Sequence, residues 1–308
     1  MKTKHFIFSL LALSLTCLPT ACSGDDDAEE KKDDGVTVVI KDDGTTSNGS
    51  RFVAIDNNNF YLDYVKYSVV EGHLEVTGYD SKGFNGVANI VSCVSYRGNK
   101  YEVLSIRASS FQNCTNLTSI SIPDRVTTIG DYAFKNCTSL VSVTISNSVT
   151  TIGLSAFEGC TSLTSITIPE SVTTLQNSAF QNCTNLVSIT IPNSLTAIKR
   201  KVFQGCTSLV SVTISNGVMN IRASAFEGCT SLTSITIPES VTQIGEFAFC
   251  ECTSLTYVEC KSITPPKADN DLFSDDTYKD AVLYVPLGTS LTYKSAPYWG
   301  NFGHIVGK

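Results

Sequence analysis

Histidine, tryptophan and positive charge are all scarce in this chain. Three histidines (His5, His73 and His304) and one tryptophan, Trp299, occur among 308 residues, and 29 acidic side chains stand against 22 Lys and Arg. A formal charge of −7 and a pI near 5.0 exclude nucleic acid as a partner, because phosphate binding needs clustered Lys and Arg to displace counterions. So few histidines leave little room for imidazole catalysis or a His-rich metal site. No G-x-S-x-G elbow, P-loop, H-E-x-x-H or dinucleotide fingerprint is written anywhere. Serine and threonine abound, but a catalytic nucleophile needs an adjacent base, and the repeated region supplies none. Glu170 and Glu239 follow strand-ending prolines in only some of the repeats, which suits solvated edges better than an acid–base pair. The chain reads as a non-enzyme with no cofactor.

Nor does an apolar run reach the length of a membrane span. "FIFSLLALSL" (Phe6–Leu15), preceded by Lys2 and Lys4, has the length of a signal h-region. The small residues before Cys22 in "LPTACSGDDD" resemble the lipobox of bacterial lipoproteins, which implies cleavage after residue 21 and lipid attachment at Cys22. The match departs at Leu18, which stands four residues before Cys22 instead of three, with Pro19 in the usual place; Cys17, after Thr16, fits less well. The acidic run beyond Cys22 resembles the signal that sends lipoproteins of some Gram-negative anaerobes to the outer face of the outer membrane. A secreted or periplasmic protein is the alternative. Residues 22–50, rich in Asp, Gly, Thr and Ser around the short apolar "VTVVI" (Val36–Ile40), read as an acidic flexible tether. Its acids lack the fixed spacing of a calcium loop.

What the chain has in abundance is repetition. "SAFEGCTSLTSITIPESVT" fills Ser155–Thr173 and returns letter for letter at Ser224–Thr242. Cysteines stand at 114, 137, 160, 183, 206, 229 and 252, a constant spacing of 23, each with Phe three residues before and Leu three after. The unit is F-x-x-C-T-x-L-x-x-I-x-I-P-x-x-V-x-x-I-x-x-x-A. "LTSITIP" alternates as a half-buried strand, "SVTTIG" is a second short extended piece, and the segment around "AFxxC" has the length of one helical turn. One such unit buries too little apolar surface to offset the entropy of ordering its backbone. Stacked units cover one another, so the array must fold as a solenoid. Proline closes the strand in units one, three, four and six, and Ser146 and Ser215 do so in two and five, the mark of a duplicated three-unit block.

The regular cysteines are expected to be core, not staples. Turns of a parallel stack lie about 4.8 Å apart, but seven thiols in one column cannot all pair, and a buried free Cys behaves as a small hydrophobe. Cys260 takes the place of an inward isoleucine and is expected in the core as well. Cys93 and Cys250 are the thiols expected to be exposed or pairable. Zinc at "CEC" (Cys250, Cys252) lacks a second ligand pair.

"AFxxCTSLTSITIPxSVTxIG" resembles the BspA-like leucine-rich repeats of surface proteins from anaerobic bacteria and some protists. Gly78–Ile106 is similar to their β-rich N-terminal cap, and "SITPPKADNDLF…LYVPLGTSLTYKSAPYWGNFGHIVG" to their C-terminal cap. The resemblance implies a leucine-rich-repeat solenoid of 23-residue turns with parallel β-sheets and short helical turns. Its expected divisions are a signal peptide over 1–21, the tether over 22–50, an N-terminal β cap over 51–106, the array over 107–260 and a C-terminal cap over 261–308.

Outward strand positions form two hydroxyl columns. One holds Ser119, Ser142, Ser165, Ser188, Ser211 and Ser234; the other holds Ser121, Thr144, Thr167, Thr190, Thr213 and Thr236. Such ladders keep a sheet soluble without charge, and they also offer a repetitive surface on which many weak contacts add up. Aromatic platforms of the kind that stack on sugars are absent from these columns until Tyr257. One unit departs from the pattern with a basic knob, Lys199, Arg200 and Lys201, which could meet an anionic partner or simply form a solvated turn. The resemblance implies a surface adhesion protein, expected to be a monomer, that binds an extracellular protein or glycan and meets the membrane through its lipid anchor alone. An envelope scaffold that assists another surface protein is the alternative.

Overall fold

The computed structural model describes residues 37–41, 44–96 and 98–308. The signal segment, Cys22 and the acidic run after it lie outside the described residues. The array is a β-solenoid of about nine stacked turns with parallel sheets and very little helix. In each turn, a four-residue strand alternates in exposure. Ile120 and Ile122 point inward from Ser119–Ile122, and Ile189 and Ile191 do so from Ser188–Ile191. A tight turn follows, in which Val126, Val149 and Val172 donate to the carbonyls of Pro123, Ser146 and Pro169. Proline suits that corner because only its carbonyl is needed there. A two-residue strand such as Thr128–Ile129 or Thr151–Ile152 then forms a second parallel ladder.

The segment expected as a helical turn is instead a run of reverse turns, for a backbone reason. Two positions in every unit are left-handed: Ser109, Tyr132, Ser155, Ser178, Lys201, Ser224 and Phe247 occupy one, and Asn113, Asn136, Gly159, Asn182, Gly205, Gly228 and Glu251 the other. Helix cannot propagate through them. Their geometry splits the N–H groups into two sets. Ala133, Lys135 and Cys137 donate back three residues within the coil, whereas Tyr132, Phe134 and Asn136 donate to Leu154, Ala156 and Glu158 of the next coil. Gly159, at φ +72°, illustrates a further constraint, since a Cβ there would stand 2.5 Å from Asn136 Oδ1 of the coil beneath.

Three residue types per turn fill the interior. The phenylalanines stack from Phe111 to Phe249 with centroids 5.1–5.7 Å apart. Tyr79 extends the stack at one end and Phe273 at the other. The seven regular cysteines and their leucines are buried alongside, and Cys260 is buried too. None of the described cysteines forms a disulfide. From Cys137 to Cys252 each Sγ–H donates to the carbonyl of the phenylalanine 26 residues earlier, at 3.1–3.3 Å. The thiol therefore packs as a hydrophobe and also satisfies a carbonyl of the turn below. Burial pushes Cys160, Cys206 and Cys252 up to about 12, which suppresses the reactive thiolate. Cys93, expected to be exposed or pairable, is buried within a cap strand, and Cys250 alone of the described cysteines is half-exposed.

Both ends are lidded. The N-terminal strands are β1 (Thr37–Ile40), β2 (Phe52–Ala54), β3 (Asn59–Leu62), β4 (Val65–Val70), β5 (His73–Tyr79), β6 (Val87–Asn89), β7 (Cys93–Tyr96) and β8 (Asn99–Ile106). β2 to β5 form an antiparallel meander, joined through β8 to the ladder of two-residue strands, while β6 starts the four-residue ladder beside Ser119–Ile122. β1 corrects the expected tether. It pairs in parallel with β7 and buries Val38 and Ile40, so "TVVI" (Thr37–Ile40) belongs to the cap because its alternation supplies an apolar face to cover β7. At the other end, Val282–Val285 and His304–Gly307 continue the four-residue ladder past Tyr257–Cys260. Helices α1 (Asp275–Asp280) and α2 (Ser290–Lys294) connect these pieces. Tyr278, Trp299 and Phe302 meet Phe273 edge-on and end the stack, and Trp299 Nε1 donates to the Pro266 carbonyl at 2.8 Å.

Phe180→Ala, in mid-stack, is expected to cost about 3–5 kcal/mol in urea-unfolding measurements; a loss under about 1 kcal/mol would contradict the continuous core. Thiol-reagent kinetics on the folded protein should show Cys250 reacting first among the described cysteines. The regular cysteines should react only at the rate of unfolding.

Candidate functional site

The four-residue strands carry one broad open face, and the two predicted hydroxyl columns lie on it. Ser142, Ser165, Ser188 and Ser211 are exposed, as are Thr144, Thr167, Thr190 and Thr213. Register confirms the columns: Ser119 pairs with Ser142 and Ser121 with Thr144, and Ser188 and Thr190 pair with Ser211 and Thr213. The segment 165–168 keeps the alternation of exposure without forming a laddered strand, so the face divides into three-, two- and four-stranded pieces. Beside the serine column, Val141, Val187 and Val210 are 49, 48 and 45% exposed and add apolar area to the polar surface.

The basic knob stands elsewhere on the coil. Lys199 and Arg200 follow the two-residue strand Ala197–Ile198, beyond the corner from the hydroxyl face. Lys199 Nζ donates to Gln176 Oε1 at 2.7 Å, and the Arg200 backbone N–H donates to Asn177 Oδ1 at 3.2 Å. Lys201 occupies a left-handed position, its N–H bonded to the Ala223 carbonyl. Arg200 lines a shallow groove of about 380 Å³ together with Arg222, Gln243, Glu246 and Asp269. The groove thus sets two guanidinium groups against two carboxylates, and Arg222 joins the knob from the next coil. The hydroxyl face and the knob are not brought together.

A third feature escaped the sequence reading apart from its first residue. Where the hydroxyl columns reach the C-terminal cap, Ser234 gives way to Tyr257 and Thr236 to Glu259 in register. Glu259 in turn faces Tyr284 on the next strand. The Tyr257 and Tyr284 rings stack with centroids 4.6 Å apart. Lys308 Nζ lies 2.9 Å from Glu259 Oε1, 2.6 Å from Tyr257 Oη and 5.3 Å from both ring centroids. Burial alone would raise the Glu259 carboxyl. The Lys308 hydrogen bond and charge outweigh it, with help from Thr236 and Lys261, so the group ends below its ordinary value. Lys308 is held above its own, first by Tyr257 and then by Glu259. Tyr257 was visible as a break in the column, but nothing marked Lys308, 51 residues further on.

A parallel solenoid with a flat open strand face and lidded ends defines a leucine-rich-repeat surface-presenting protein. The BspA type leucine rich repeat region matches in six copies, over residues 104–232 and 174–281, and the chain belongs to that family. A leucine rich cell surface protein from Faecalibacterium prausnitzii A2-165 is 30% identical, with a TM-score of 0.61, over 74% of this chain and 70% of that one. A leucine-rich repeat protein from Bacteroides ovatus is 28% identical, with a TM-score of 0.53, over 73% and 70%. No curated protein matches the chain. The family carries out repeat-based protein interaction and is generally non-enzymatic. Among the described residues, no helix is long and apolar enough to cross a membrane.

The Glu259 carboxylate, depressed in the folded state, contributes stability that is complete above its ordinary value of 4.5 and is lost as pH falls through the folded value. The difference in melting temperature between the unaltered chain and Glu259→Gln should therefore shrink as the medium is acidified below pH 4.5. A difference that does not change with pH would show that the carboxylate charge contributes nothing there.

Proposed function

We propose that this chain is a cell-surface binding protein, anchored to the outer membrane by lipid on Cys22, that lays its open strand face along an extended extracellular protein or glycan. The observation that carries the reading is the continuous exposure of Ser142, Ser165, Ser188 and Ser211 beside Thr144, Thr167, Thr190 and Thr213. Hydroxyls at every turn both donate and accept, and no large side chain interrupts them, so a long ligand gains many equivalent weak contacts. The flanking valines supply apolar contact along the same line. The F. prausnitzii relative, described as a cell surface protein, supports the location. Lys199, Arg200 and Lys201 are a secondary contact on another edge, suited to an anionic group.

Binding of surface extracts from host cells and from other bacteria can be compared between the chain from residue 23 onward and a variant carrying Thr167→Lys, Thr190→Lys and Thr213→Lys. These exposed substitutions should change stability by no more than about 0.5 kcal/mol each. Captured material should fall at least tenfold. Undiminished capture would remove the hydroxyl face from the reading and move the contact to Lys199–Lys201 or a cap. Protease treatment of intact cells should strip the protein, and full protection would place it inside the envelope.

A further inference from the structure

The end of the open face differs in kind from the rest. Two stacked tyrosines, a carboxylate and a threonine hydroxyl converge there within three successive strands. Thr236 Oγ1 donates to Glu259 Oε2 at 3.3 Å, and Tyr257 Oη stands 3.4 Å from the same oxygen. Both tyrosines and the carboxylate are half-buried, so their geometry is set by packing against the sheet. Every group present attracts the same partner: aromatic faces, a phenol oxygen and a carboxylate all favour a compact cation with several N–H donors. The chain's own Lys308 supplies one. Its ammonium fills the site, yet its side chain remains 48% exposed and reaches in from the edge of the fold. The Lys308 backbone is held separately, its N–H on the Val285 carbonyl and its carbonyl on the Leu287 N–H. The side chain can therefore leave without unzipping the ladder.

The structure assigns to Tyr257, Tyr284 and Glu259 a binding site for a primary alkylammonium group, with Lys308 as an internal occupant that a lysine side chain of an extended protein partner displaces. This deepens the proposed function, on which it rests for the direction of approach. A partner strand lying along the hydroxyl columns arrives at this site in register, since Ser234 and Thr236 pair directly with Tyr257 and Glu259. The net charge of −7 favours a partner carrying basic side chains. Exchange of one ammonium for another keeps the half-buried carboxylate paired throughout, which avoids the cost of leaving it alone.

The test uses the full chain and Nα-acetyl-lysine methylamide as probe, followed by calorimetry or by NMR of the tyrosine rings. Lys308→Met removes the occupant and leaves the backbone bonds. It should bind the probe at least tenfold more tightly than the unaltered chain. The double variant Lys308→Met with Glu259→Gln should lose that binding, and Nα-acetyl-glutamate methylamide should bind neither. Equal affinity of the unaltered chain and Lys308→Met, or binding that survives Glu259→Gln, overturns the assignment and leaves Lys308 a fastener of the last strand. Should Lys308→Met fail to fold, saturating probe on the unaltered chain must shift the Lys308 ε-carbon resonance, and an unmoved resonance overturns the assignment equally. The probe is a single residue too small to span the hydroxyl columns. Its result therefore stands whether or not the lysine-substituted face loses its partner.

Discussion

Each coil of this molecule is covered only by the coils on either side of it. Phe157 has Phe134 and Phe180 above and below it, and the Cys160 thiol is bonded to the Phe134 carbonyl of the turn beneath. Apolar burial, aromatic stacking and backbone satisfaction all run along the axis of the stack. Within a single turn the gain is confined to short backbone bonds such as Ala133 to Gly130 and Cys137 to Phe134. The whole architecture follows from that direction of interaction: parallel ladders, caps at both ends, and no need for disulfides despite ten thiols among the described residues.

The same constraint shapes the surface. Positions pointing inward are fixed by the stack, so variation is free only on the outside, and there the repeat writes hydroxyls. Serine and threonine keep an open sheet wet without the mutual repulsion that a column of like charges would suffer at each turn. The result is a face of uniform chemistry along the length of the stack. The C-terminal end is where uniformity stops, because a cap must present different residues to close the stack. Tyr257 and Tyr284 bring aromatic area to a face whose described hydroxyl columns hold Ser and Thr, and Glu259 is the carboxylate that aligns with the threonine column.

The corrections fall where local pattern competes with contacts across turns. "AFxxC" has a helical length, but left-handed residues at two fixed positions turn half of its N–H groups toward the next coil. No single unit shows that preference, because glycine marks the second position in only some turns, with asparagine or glutamate in the others, and serine, tyrosine, lysine or phenylalanine fills the first. Composition around Val36–Ile40 reads as tether, yet β7 offers a strand edge that Thr37–Ile40 covers. Cys93, outside the regular column in the N-terminal cap, reads as exposed or pairable and is buried by the β1–β7–β8 sheet.

The sequence by itself determined the repeat length, the inward set of Phe, Cys, Leu, Ile and Val, and the two hydroxyl columns. All of these are periodic, and a period of 23 in a chain that must bury its apolar residues leaves one way to do so. Tertiary structure alone decided how the caps close, where the basic knob sits relative to the open face, and that Lys308 lies over Tyr257 and Tyr284. Those placements depend on single residues far apart in the chain that meet once, and a contact that does not repeat leaves no periodic trace.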